Sequence, residues 1–96
     1  MSDLKDTLSA FIDRNTQQLE FANALHIEIG KRVKERREAL GLTQDELAHR
    51  CNMERTSFTM IETGRQGTPA IKLALFCVAL NVTADYLLFG TEAKHD

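Results

Sequence analysis

The chain has one proline, no tryptophan and only five glycines in 96 residues, so little in it interrupts a helix. β-Branched residues never gather into a run of period-two alternation, which excludes a sheet-based architecture. Cysteine is scarce. Cys51 and Cys77 are the only two, too few for a secreted disulfide framework and lacking any C-x-x-C spacing. Long apolar runs are missing as well: the longest uncharged apolar stretch, Leu73 to Val82, falls far short of the roughly 20 residues that cross a bilayer. The opening Met1-Ser-Asp-Leu-Lys-Asp has no signal-peptide apolar region. These absences predict an all-α protein, soluble and cytoplasmic, with no membrane partner.

Chemistry-bearing clusters are equally sparse. His49 and Cys51, taken with His26, His95 and Cys77, match no four-ligand zinc spacing, and core cysteines with surface histidines account for them. No glycine-rich phosphate loop is present, and no paired carboxylates stand in an apolar setting. The sequence therefore predicts no metal, no cofactor and no enzyme. What it does have is an ordinary globular composition, 43% hydrophobic and 27% charged, enough for one core and one domain. The formal net charge of −2 hides a gradient. Residues 1–28 carry two Lys/Arg against five Asp/Glu, whereas residues 29–90 carry nine against seven. The densest basic cluster, Lys31, Arg32, Lys34, Arg36 and Arg37, reads either as a solvated helix face or as an anion-binding surface.

Helix signals recur along the whole chain. Ile29, Val33, Arg36 or Arg37, and Leu40 share a helical spacing that Gly41 ends. Thr43 to Glu46 form a capping box that opens a second helix, burying Leu47, Ala48 and Cys51. After a turn at Asn52 to Glu54, a third helix runs from Arg55 to Thr63 and stops at Gly64. Phe58 and Ile61 point inward there, and Arg55, Thr56, Thr59, Met60 and Thr63 lie on the opposite face. Thr68 as cap and Pro69 at the first helical position predict a fourth helix carrying Ile71, Leu75, Phe76, Ala79 and Leu80 and ending at Asn81. Thr83 opens a fifth, with Tyr86, Leu87 and Phe89, ending at Gly90. Ahead of these, residues 1–26 form a helical extension with Leu4, Leu8, Phe11 and Ile12 as one stripe. A second capping box at Asn15 restarts it with Leu19, Ala22 and Leu25. Whether residues 15–40 form one helix is left open by the pattern. Residues 91–96 read as a flexible tail.

The segment IGKRVKERREALGLTQDELAHRCNMERTSFTMIETGRQGTP, closed by LNVTADYLLFG, resembles the phage repressor and Cro type of helix-turn-helix protein, the XRE family. The likeness covers roughly residues 27–90. Its diagnostic pieces are LTQDELA, a turn, a short helix ending in IE-x-G, and AL-x-V-x-x-DYLL. The resemblance implies a five-helix lambda-repressor-like domain over 27–90 that binds double-stranded DNA. It implies Arg55, Thr56 and Met60 as base-reading positions, and Arg55 is the residue type that clamps guanine O6 and N7. Met60 also fits a half-exposed filler of the core edge. Thr43, Gln44, Thr59, Thr63 and Arg65 become backbone contacts that set register, Gln44 also bracing a reading side chain. Arg37 and Glu62 match an ion pair found between helices in some members.

Two features depart from the family pattern. The loop Arg65-Gln-Gly-Thr68 carries few of the cations that many relatives place there, which predicts a shallow salt dependence. Glu54 stands where Ser, Thr or Asp usually caps the third helix. Domains of this kind read DNA as dimers, two half-sites lying about one helical turn apart. The N-terminal stripe, Leu4, Leu8, Phe11, Ile12 and Leu19, fits a homodimer contact, packing on the chain's own core, or a protein partner; the fifth helix is a second dimer surface. The expectation is a dimeric repressor on an inverted repeat, with an antitoxin-like or regulatory interaction module as the alternative.

Overall fold

The computed structural model describes the backbone of residues 2–91 and the side chains of residues 16–91. The chain is all-helical, with five helices and no strand among the described residues: α1 (Ser2–Ala39), α2 (Gln44–Arg50), α3 (Arg55–Glu62), α4 (Ala70–Leu80) and α5 (Ala84–Phe89). The N-terminal extension and the first helix of the domain are one element. With no proline before residue 69 and a single glycine, Gly30, before residue 41, nothing in the backbone breaks α1, and the side-chain cap expected at Asn15 does not start a new helix. Thirty-eight residues at 1.5 Å rise make a rod of about 57 Å. The expected boundary between residues 26 and 27 thus falls inside a continuous helix.

Four helices end in the same way. Gly41, Asn52, Gly64 and Asn81 adopt left-handed backbone with φ of 72°, 54°, 77° and 55°. The amide of the residue that follows each of them then reaches back five residues: Leu42 to Arg37, Met53 to Ala48, Arg65 to Met60 and Val82 to Cys77. These are Schellman closures, which satisfy carbonyls that the helix leaves unpaired. They also correct one expectation. Leu40 lies just past the end of α1 and is exposed, because the reversal at Gly41 brings Leu42 to the core edge instead.

Helix α4 begins one residue later than its sequence signal suggests. Pro69 has an extended ψ of 151°, so it is the cap residue rather than the first helical one, and Thr68 makes no side-chain cap. Ile71 is 67% exposed, as is Phe89; neither contributes to the core as expected, because the inward face of α4 is filled by Phe76 and Leu80 and that of α5 by Leu87.

One core joins all five helices: Ile29 and Val33 from α1, Leu47, Ala48 and Cys51 around α2, Phe58 and Ile61 from α3, Phe76 and Leu80 from α4, then Val82 and Leu87. Phe58 and Phe76 meet edge to face at 6.0 Å and 72°, a preferred aromatic geometry. Burial pushes the Cys51 thiol pKa up, partly offset by Lys72, and burial raises that of Cys77. Among the described residues no group of three His, Cys, Asp or Glu is placed to hold a metal. No described helix is long and apolar enough to cross a membrane.

Candidate nucleic-acid interface

Helices α2 and α3 form a pair joined by a tight turn. The inward faces of both sink into the core through Leu47, Ala48, Cys51, Phe58 and Ile61. That packing leaves the opposite face of α3 outward: Arg55, Thr56, Met60 and Thr63 are exposed and Thr59 is half-buried. The N-terminus of α2 sits beside this face. Thr43 and Glu46 cap each other, the Thr43 hydroxyl accepting from the Glu46 amide at 3.1 Å and the Thr43 amide donating to the Glu46 carboxylate at 3.0 Å. The Thr43 amide first, and the Thr43 hydroxyl second, hold the Glu46 carboxyl below the usual range.

A chain of polar contacts runs from the interior to the α3 surface. Arg37 on α1 and Glu62 on α3 form a buried ion pair, Nε to Oε2 at 2.6 Å with a second contact at 3.3 Å. Arg37 also donates to the Leu42 carbonyl at 2.8 Å. Glu62 Oε1 accepts from Gln44 Nε2 at 3.0 Å. This fixes which way the Gln44 amide faces, and its Oε1 accepts from Arg55 Nη2 at 3.5 Å. Asp45 Oδ2 lies 3.6 Å from Arg55 Nη1. Arg37, Thr43, Gln44, Asp45 and Arg55 thereby line a shallow depression of about 470 Å³.

The positions named from sequence divide by chemistry. Thr43, Gln44 and Arg55 come together in the depression. Gln44 keeps a second amide proton, which can donate to a phosphate oxygen. The Thr63 hydroxyl donates back to the carbonyls of Thr59 at 3.0 Å and Met60 at 3.3 Å; it must leave them to donate to anything else. Arg65 is exposed just past the α3 closure. Glu54 occupies the α3 cap position without a side-chain cap bond. Leu19 is 62% exposed and not part of the core, whereas Leu4, Leu8, Phe11 and Ile12 lie outside the residues whose side chains are described; residues 92–96 of the expected tail, with His95, also lie outside.

Sequence reasoning missed two things here. Asp45 reads as a mere second residue of a capped helix, and nothing local signals its approach to Arg55, ten positions on. The arginines of the α1 basic cluster are also engaged by the fold. Arg32 donates to the carbonyls of Leu87 and Leu88 at 3.0 Å each, and Arg36 donates to that of Leu80 at 2.9 Å. Lys72 likewise closes the end of α2 on the carbonyls of Cys51 and Asn52. These cations sit where helix dipoles end and carbonyls lack partners.

A model of the helix-turn-helix domain family matches residues 28–87. Among solved structures, the chain is similar to the restriction-modification controller protein C.AhdI from Aeromonas hydrophila: 26% identity, TM-score 0.63, covering 67% of this chain and 97% of that one. It is similar to the clp gene regulator ClgR from C. glutamicum to the same degree, 26% identity and TM-score 0.63, over 67% of this chain and 83% of the other.

Proposed function

Because the chain belongs to the helix-turn-helix domain family, of the phage repressor and Cro type, and is thereby a DNA-binding transcriptional regulator, we propose that it acts as a dimeric repressor on a short inverted repeat. The observation that carries the reading is the outward face of α3, which the α2–α3 packing leaves exposed. A major groove is wide enough to admit such a helix. Arg55, Thr56 and Met60 read bases: Arg55 clamps a guanine, and Thr56 and Met60 meet thymine methyls. Thr43, Gln44, Thr59, Thr63 and Arg65 hold phosphates and set register. Repression then follows from occupancy, since a bound dimer excludes polymerase from an overlapping promoter. The names of the two similar proteins, a controller and a gene regulator, support control of transcription rather than an architectural or catalytic role.

Dimerisation draws support from the apolar surface that the core does not use. Phe21 is 69% exposed and Leu19 62%. Phe21, Leu25, Leu88 and Phe89 line a groove of about 300 Å³ between α1 and α5. The same residues favour a second reading, in which residues 1–26 bind a different protein as an antitoxin-like or regulatory subunit. Sedimentation of the full chain and of a form lacking residues 1–25 separates these: loss of the dimer on truncation places the contact on the extension.

The function is tested by fluorescence anisotropy at near-physiological salt, using DNA from upstream of the protein's own gene beside a shuffled duplex. Specific readout gives at least about a thousandfold preference. Arg55→Ala is expected to lose roughly 1–3 kcal/mol at one base position per half-site, while Arg65→Ala weakens all sequences alike. Equal weak binding to both duplexes refutes the repressor and favours the partner-binding reading.

A further inference from the structure

We infer that His26 is a positioning residue for DNA binding, acting from α1 on the α3–α4 loop so that Arg65 is held where it meets a backbone phosphate. The inference rests on the proposed phosphate contact of Arg65. Within the loop, Arg65 to Pro69, Arg65 is the one cation. It is exposed and forms no ion pair among the described residues. Unlike the arginines of α1, it is free to neutralise a phosphate. The loop is anchored at its start and open after it. The amides of Arg65 and Gln66 both donate to the Met60 carbonyl, at 2.9 and 3.1 Å, but those of Gly67 and Thr68 make no backbone bond among the described residues. A glycine in such a stretch gives the chain many conformations, and ordering them at the moment of binding weakens the complex.

Two neighbouring residues of α1 back this loop. A Cβ on Gly64 would lie 2.6 Å from Ile27 Cγ1, and one on Gly67 would lie 2.7 Å from His26 Nε2 and 3.0 Å from its Cε1. Gly64 requires glycine in any case for its left-handed turn, whereas Gly67 has no positive φ. Its missing side chain is therefore a matter of space. The outer edge of the imidazole, half-buried, fills the volume that a side chain at position 67 would take. His26 also lies one turn before Gly30, which meets the carbonyls at the end of α3, so a single stretch of α1 seats both the end of the reading helix and the loop beyond it. Removing the ring leaves the loop without its support, and Arg65 loses its fixed place.

The test uses the full chain as wild type, His26→Ala, His26→Gln, Gly67→Ala and Arg65→Ala, with His26→Ala also combined with each of the last two. All are titrated by anisotropy against an unselected random-sequence duplex pool and a duplex enriched from it by the wild-type protein. His26→Ala is expected to weaken both probes by the same factor and to make the log–log salt slope shallower by about 0.9, the share of one phosphate. Its loss is then about three- to fourfold larger at about 50 mM than at about 200 mM salt, and it is absent in the Arg65→Ala background. Gly67→Ala gives the same loss. Adding it to His26→Ala weakens binding no further, because the methyl enters the space that the ring has left. His26→Gln reaches as far without a titrating ring and keeps wild-type binding. Circular dichroism checks that each variant is folded; where His26→Ala is not, Gly67→Ala carries the comparison with Arg65→Ala. A loss that persists without Arg65, or one confined to the enriched duplex, overturns the inference. So does a His26→Gln variant as weak as His26→Ala, which means a direct ionic contact. If Arg65→Ala leaves the unselected pool unchanged, the phosphate assignment fails and the inference falls with it. If the pool enriches no sequence, base reading fails instead, and the unselected pool still decides the role of His26.

Discussion

Gly30→Ala tests how closely α1 and α3 approach, because two effects of similar size oppose each other there. Alanine is favoured over glycine inside a helix by about 1 kcal/mol, and on an exposed face of α1 the change would stabilise the protein. Gly30 is not exposed. A Cβ at that position would lie 2.5 Å from the carbonyl oxygens of both Ile61 and Glu62 and 2.8 Å from the Glu62 carbonyl carbon. Ordinary contact starts at 3.4 Å, so the helices must separate by about 0.9 Å. The obstacle is backbone, and no rotamer change relieves it. The end of α3 is also held on both sides, by Ile61 at 1% exposure in the core and by the 2.6 Å contact of Glu62 with Arg37. Overpacking costs about 1–3 kcal/mol, and two rigid carbonyls put this case near the top of that range. Subtracting the propensity gain leaves a net loss of about 1–2 kcal/mol, or roughly 5–15 °C in Tm for a domain of this size. Circular dichroism through thermal and urea unfolding reads both quantities. A Tm equal to or above wild type refutes the argument, since it means that propensity outweighs the contact and that the helices have room to part.

Glu62→Gln leaves Arg37 buried without a countercharge and is expected to cost about 3–5 kcal/mol in urea unfolding, whereas the apolar double variant Arg37→Met with Glu62→Leu costs much less. Glu46→Gln keeps an acceptor for the Thr43 amide but does not titrate. Because the native Glu46 carboxyl is lowered by its bonds to Thr43, its contribution is complete above the ordinary carboxylate range and is lost as pH falls through the folded value. The stability difference between wild type and Glu46→Gln should accordingly narrow on acidification, and a difference that widens contradicts the cap. Glu54→Ser supplies α3 with the side-chain cap it lacks and is expected to add about 0.5–1 kcal/mol in thermal unfolding.

The fold was legible where a local signal has a local cause. The Thr43 and Glu46 box, the Thr83 cap and the left-handed stops at Gly41, Gly64, Asn81 and Gly90 all act within a few residues of themselves, and spacing alone displays them. Pro69 was misplaced by one position because its fixed φ suits both a cap and a first turn; ψ decides, and ψ depends on how the Gly67 loop meets α1. There the His26 ring stands within 2.7 Å of where a Gly67 side chain would begin. Ile71 and Leu19 show the opposite failure. Each fits an apolar stripe, yet a stripe reports which residues share a face and not whether another element covers it.

The interface was less legible than the fold, and charge shows why. A run of five cations within seven residues of α1 invites a phosphate-binding reading, but the partners of Arg32, Arg36 and Arg37 lie 55, 44 and 25 positions away along the chain. Two of those partners are backbone carbonyls, which carry no formal charge and leave no trace in a sequence. With Lys72 on the carbonyl of Cys51, four of the nine cations in residues 29–90 serve the fold. The positive balance of the domain therefore overstates what α2 and α3 can offer to a phosphate backbone. Arg55 is moreover matched in the free protein by Asp45. A single domain so provided gains little from counterion release, and reading two half-sites at once is the physical route to specific affinity that the proposed dimer would open. That ties the proposed dimer to the charge distribution: a monomer with this interface should bind any duplex weakly.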